Sequence, residues 1–169
     1  MTPAPSRPDP TMEAIGRSVS RGRAGETEAA REELLGLWSE IGVTGDPLHR
    51  CSLAHYLADL YEDAAQALTW DIRALDAADA VTEQRVQDHH AGLRIAGFYP
   101  SLHLNLADCY RRLGSFDAAT EHITAAAALA PDLPRDAYGD LIRGAIRGVT
   151  EAIARKDRTR RASAPSASS

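Results

Sequence analysis

The chain has 169 residues, 44% hydrophobic and 25% charged, which is enough for one buried core and too few for two ordinary enzyme domains. Aromatics are only 5% of the chain and alanine is abundant, a composition for helices packed through small residues and against a β-sandwich core. The net charge of −5 is partitioned, with 20 Asp/Glu and 10 Lys/Arg in residues 26–150 between ends of +2 (1–25) and +3 (151–169), so the acidic body lacks the cationic footprint of a nucleic-acid-binding core.

Residues 1–10 carry four prolines and read as a disordered tail, since they cannot bury enough apolar area to offset the entropy of ordering. They also lack the cationic start and apolar run of a secretory signal, and no stretch of about 18 apolar residues spans a bilayer. These absences point to a cytoplasmic protein. Helical spacing then runs through Ala29, Ala30, Leu34, Leu37, Trp38 and Ile41, stopped by Gly42 and the turn at 44–47. Leu53, Leu57, Leu60 and Tyr61 form the next stripe, and Ala67, Leu68, Ile72, Leu75 and Ala78 the one after. Thr82 is an N-cap for a helix through Val86, His90, Leu93 and Ala96, spanning 82–97. The residues Gly97-Phe98-Tyr99-Pro100 break the chain. Leu102, Leu106, Cys109, Tyr110 and Leu113 follow, Gly114 ends that helix, Ser115 caps the next, and Pro131 and Pro134 close it. A last helix over 134–155 carries Ala137, Leu141, Ala145, Val149 and Ile153. Residues 156–169, basic and then rich in serine and alanine, read as a second disordered tail. The class is all-α, in antiparallel helix pairs joined by short turns.

Internal repetition sharpens this reading. Leu57-Ala58-Asp59-x-Tyr61 recurs as Leu106-Ala107-Asp108-x-Tyr110. Around the second copy, His103, Leu106, Ala107, Tyr110, Gly114, Phe116, Ala119, Ile123, Ala126 and Pro131 fall at the spacing of the signature residues of a repeat of about 34 residues. In this the segment 100–133 resembles a tetratricopeptide repeat, save that His103 replaces the usual aromatic. The copy at 51–79 places Ala54, Leu57, Ala58 and Tyr61 alike, but Tyr61 to Ala67 is shorter than Tyr110 to Ala119 and has no glycine, which predicts a tighter or distorted turn. Gly25, Thr27, Ala30, Leu34 and Leu37 suggest a degenerate first copy at 11–44. The resemblance implies one domain over 11–155, a right-handed α-solenoid of about three repeats. Segment 82–99 would be an inserted helix and 134–155 a capping helix, in which Gly139, Gly144 and Gly148 must permit close packing to be tolerated.

In this family the first helix of each repeat lines a concave surface that binds peptides or proteins. By resemblance, that surface is lined by Ser52, His55, Tyr56, Asp59, Glu62 and Asp63 in one repeat and by Ser101, Leu104, Asn105, Asp108, Arg111 and Arg112 in the next. Asn105 and Arg112 could jointly donate to a peptide carboxylate. Read from the residues alone, the same aspartates could bond neighbouring helices, and Arg111 and Arg112 could be a solvated face. Cys51 and Cys109 read as buried thiols, and Trp38 and Trp70 as core. The six histidines show no metal-ligand spacing, and neither a nucleophile motif nor a phosphate-binding loop occurs, so no cofactor, metal or enzymatic chemistry is expected. The leading expectation is a bacterial-type interaction module for an unidentified protein or peptide. The rival is a sensor of a small ligand or signalling peptide around His55, Tyr56, Asn105 and Arg112, and a homodimer could form by stacking of the first repeat.

Overall fold

The computed structural model describes residues 8–81 and 98–161. Its regular elements are seven α-helices with one short 3-10 turn, and no strand occurs among the described residues. The helices are α1 (Pro10–Arg23), α2 (Thr27–Ile41), α3 (Pro47–Asp59), α4 (Ala64–Asp79), α5 (Phe98–Leu113), α6 (Phe116–Leu129) and α7 (Ala137–Ala154). The helix expected over 82–97 lies outside the described residues.

Four of the starts have the chemistry that exposed backbone N–H groups require. Asp9 accepts from Thr11 and Met12, with Pro10 opening α1. Asp46 accepts from Leu48 and His49 ahead of Pro47, Asp63 caps α4 through Gln66 N–H, and Asp136 caps α7 through Gly139 N–H. Asp9 also places Oδ2 2.7 Å from His49 Nε2, so order begins inside the segment expected to be a tail. Ser115 precedes α6 but makes no side-chain cap.

The helices pack in neighbouring pairs, α1 with α2, α3 with α4, and α5 with α6. Each second helix also packs on the first helix of the following pair, and α7 rests on both α6 and α5. Two cores result. Ile15, Leu34, Leu53, Leu57, Trp70, Ala74 and Leu102 anchor one, and Leu104, Ala107, Ile123, Ala126, Ile142, Ile146 and Val149 the other. Alanines at the helix contacts let backbones approach closely. Trp38 and Trp70 meet edge to face at 5.1 Å, with the Arg73 guanidinium 4.4 Å above Trp70, a core role with a cationic lid. Cys51 and Cys109 are free and buried. His103 and His122 meet Nδ1 to Nδ1 at 2.9 Å across the α5–α6 seam.

Several expectations are corrected. The short spacing after Tyr61 does not tighten the turn. It shortens the helix instead, because α3 stops at Asp59, before its tyrosine, whereas α5 continues through Tyr110 to Leu113. Phe98, Tyr99 and Pro100 begin α5, with proline tolerated in the first turn because its missing N–H has no helical partner there. On α7 the buried stripe is Ile142, Ile146, Val149 and Ala152, while Leu141 is 52% exposed. Strict four-residue steps drift round a helix of about 3.6 residues per turn, so the expected stripe from Ala137 and Leu141 wandered off the core. On α4 Ile72 is exposed and its neighbour Asp71 is buried. Residues 155–161, expected to be tail from 156 onward, lie against α5.

The glycines of α7 differ in kind. A Cβ on Gly139 would stand 1.9 Å from the Pro134 carbonyl oxygen, whereas one on Gly144 would meet nothing nearer than an Arg147 nitrogen at 3.8 Å. Gly144→Ala should therefore raise stability by about 0.5–1 kcal/mol, and Gly139→Ala should lower it by about 1–3 kcal/mol. Paired urea titrations check both, and equal effects of the two substitutions would refute the packing argument.

Candidate functional site

The residues expected to line one surface divide into two groups. Ser52, Ser101, Leu104 and Arg111 are buried and cannot line an open groove. Cys51 through Ala54 are four successive buried residues, so that turn of α3 is enclosed on every side. Ser101 turns its hydroxyl to the Phe98 carbonyl, 2.9 Å away. Leu104 belongs to the second core, against α7, and is covered where the resemblance implied exposure. The other six, His55, Tyr56, Asp59, Asn105, Asp108 and Arg112, are half-buried or exposed. Asp63 is committed to capping α4.

The open residues converge where α3 runs beside α5. Asn105 Nδ2 lies 3.5 Å from His55 Nδ1 and 3.4 Å from Asp71 Oδ1. Two turns further along α5, the Arg112 guanidinium donates to the Glu62 carbonyl. Asp59 reaches solvent, yet the protein around it strips bulk hydration and raises its carboxyl above the usual range, against the pull of His55 and Arg23. A group both accessible and surrounded sits in a concavity. The Tyr56 phenol, raised chiefly by burial, also feels Arg23 of α1 and Tyr138 of α7. Helices α1, α3 and α7 thus present groups to one face.

Asp71 forms the floor of this groove. It is 2% exposed, and its partners are the Asn105 amide and the Cys109 thiol, whose sulfur donates to Oδ2 at 3.4 Å. Burial, reinforced by the nearby Asp59 charge, pushes its carboxyl up to about 8, so it is chiefly the neutral acid at neutral pH. Burial likewise pushes the Cys51 thiol up to about 12, which makes it a poor nucleophile. Asp71 was missed in the sequence, where the apolar stripe was traced through Ile72. The signal was present: Asp71 stands between Ala67 and Ala74 as Ile123 stands between Ala119 and Ala126.

Arg111 solves its burial differently. No part of it meets solvent. Its Nε and one terminal nitrogen bond Asp108 Oδ1 at 3.2 and 2.7 Å, and its terminal nitrogens also donate to the Asp157 carbonyl and, at 2.9 Å, to the Thr159 carbonyl. A planar fork is suited to such fixed acceptors, and the ammonium of lysine is not.

Surface concavities of about 270 Å³, lined by residues including Val43, Arg50 and Arg73, and about 460 Å³, at Gly114–Ala118 and Lys156, both exclude the groove residues. Among the described residues no group of three or more His, Cys, Asp or Glu side chains could hold a metal ion, and no helix is long and apolar enough to cross a membrane. No family model matches the chain, and no curated protein or solved structure matches it.

The buried acid sets a pH dependence with a definite sign. Its folded value near 8 lies above the ordinary 3.8, so the folded state binds more protons between these limits, and stability falls as pH rises from about 4 to about 8. Asp71→Asn should flatten that slope and raise stability at pH 8 by more than about 1 kcal/mol. Thermal melts of both proteins across the range test it, and parallel profiles would show that Asp71 is ionised in the fold.

Proposed function

We propose that the chain is a protein-interaction module of the tetratricopeptide kind. In this reading it is a right-handed α-solenoid of about three helix pairs, capped by α7, that binds a peptide or protein segment across α3 and α5 and performs no chemistry of its own. One observation carries it. Asn105 to His55 and Arg112 to Glu62 are each 50 residues apart, while the two Leu-Ala-Asp-x-Tyr strings stand 49 residues apart. The first helices of successive pairs therefore run side by side and parallel, at a separation within one residue of the sequence repeat, as stacked repeat units require.

Burial supports the equivalence. Leu57 and Leu106 are at most 1% exposed, Ala58 and Ala107 at most 4%, and the aspartate that follows each pair reaches the surface. The groove between them offers a carboxylate at Asp59, an imidazole at His55, an amide at Asn105 and a phenol at Tyr56, mixed donors and acceptors suited to an extended peptide. The sensor reading needs a compact pocket at these residues, and the concavities described lie elsewhere.

Site-specific photo-crosslinking in cells of the source organism tests the proposal. A photoreactive residue at Asp59 should give discrete protein adducts, and the same residue at the exposed Glu121 on α6 should give few. Adducts formed equally at both positions, or only at Glu121, would overturn it.

A further inference from the structure

After α7 the chain reverses. Lys156 takes a left-handed conformation (φ 52°), and the N–H groups of Lys156 and Asp157 return to the Ile153 and Ala152 carbonyls at 2.9 Å each. A glycine is usual at such a position, since a side chain there is strained. The reversal sends residues 157–161 back over the C-terminal ends of the first helices. The Arg158 Nε donates to the Arg112 carbonyl at 3.1 Å, and the Arg160 guanidinium lies 3.5 Å from Glu62 Oε1.

The pattern of contacts alternates. The carbonyls of Asp157 and Thr159 turn to buried Arg111, while the side chains of Arg158 and Arg160 reach helix-end acceptors. Arg111 and Glu62 occupy the same register in the two repeated helices, four residues after Leu-Ala in each. Reading backbone carbonyls is indifferent to sequence. Selectivity comes from charge, because the C-terminal ends of α3 and α5 carry negative dipole ends, with Asp59 and Glu62 beside them, and both favour cations. Residues 155–161 supply five basic side chains against one acid.

We propose that this rim binds an extended segment bearing arginine or lysine at alternate positions, and that residues 155–161 are its resident occupant, which an external basic segment must displace. The inference rests on the groove reading of the first helices and adds to it a ligand chemistry and an autoinhibitory contact. Exposed charge pairs contribute little individually, so the occupant is held mainly through its backbone and can exchange.

The test uses a fluorescent peptide with the sequence of residues 155–161 and anisotropy titrations at near-physiological salt. Four full-length proteins are compared: wild type; Arg158→Glu/Arg160→Glu; that double variant with Asp59→Arg/Glu62→Arg added; and the charge-matched control Arg135→Glu/Arg147→Glu. All the altered side chains are exposed, and circular dichroism confirms that helicity is unchanged. The double variant should bind the peptide at least tenfold more tightly than wild type. Its Asp59/Glu62 derivative should lose that gain, and the control should bind as wild type does. Equal binding by wild type and double variant, abolished by the Asp59/Glu62 change, would refute the resident occupant while leaving the groove reading intact. Binding indifferent to the Asp59/Glu62 change would refute the site and the groove together. A gain as large in the charge-matched control would reduce the effect to net charge and overturn the proposal.

Discussion

A guanidinium removed from water must have its donors met by fixed acceptors, and Arg111 imposes that condition on everything around it. Leaving such a charge unpaired costs about 3–5 kcal/mol, comparable with the whole stability of many domains. The acceptors come from Asp108 on its own helix and from the Asp157 and Thr159 carbonyls. The helix that carries the repeated string therefore reaches its buried state only when the segment after α7 has docked on it. A local sequence motif is thereby tied to residues almost fifty positions downstream.

Asp71 answers the opposite problem. With no cation among its hydrogen-bond partners, it keeps its proton and accepts from Asn105 and Cys109. The two buried ionisable groups meet α5 from different sides, and between them lies the strip of His55, Asp59, Asn105 and Asp108 that stays open. The polar groove is thus built on two satisfied buried groups. No buried side-chain nitrogen or oxygen among the described residues lacks a partner, which is the condition for a polar interior to hold a defined shape.

The helical class and most helix positions were legible because apolar spacing and capping residues act locally. Asp46 with Pro47, and Gly114 at φ 84° after α5, announce their turns to any reader of the chain. Individual burial was less legible, since it depends on what packs from outside the helix. Leu104 looked like a surface residue by analogy and is covered by α7, and Arg111 looked solvated and is sealed by residues 157–159. Asp71 defied the rule that acids stay outside, and only its alignment with Ile123 betrayed it. On α7, four-residue spacing favoured Leu141, while the three- and four-residue alternation of Ile142, Ile146 and Val149 followed the true helical period. Of the expected site, the residues whose neighbours lie on the parallel first helix were correctly grouped, and those facing α7 or the segment after it were not.

The docking of residues 157–161 through a solvent-free Arg111 is the claim on which both the fold of α5 and the occupied rim depend. Its most direct test is the nuclear magnetic resonance signal of the Arg111 Nε–H in the full chain. The account predicts a slowly exchanging resonance with cross-relaxation to protons of Asp108, and folded, dispersed shifts for Asp157 through Arg160. A rapidly exchanging Arg111 signal together with random-coil shifts for those residues would contradict it.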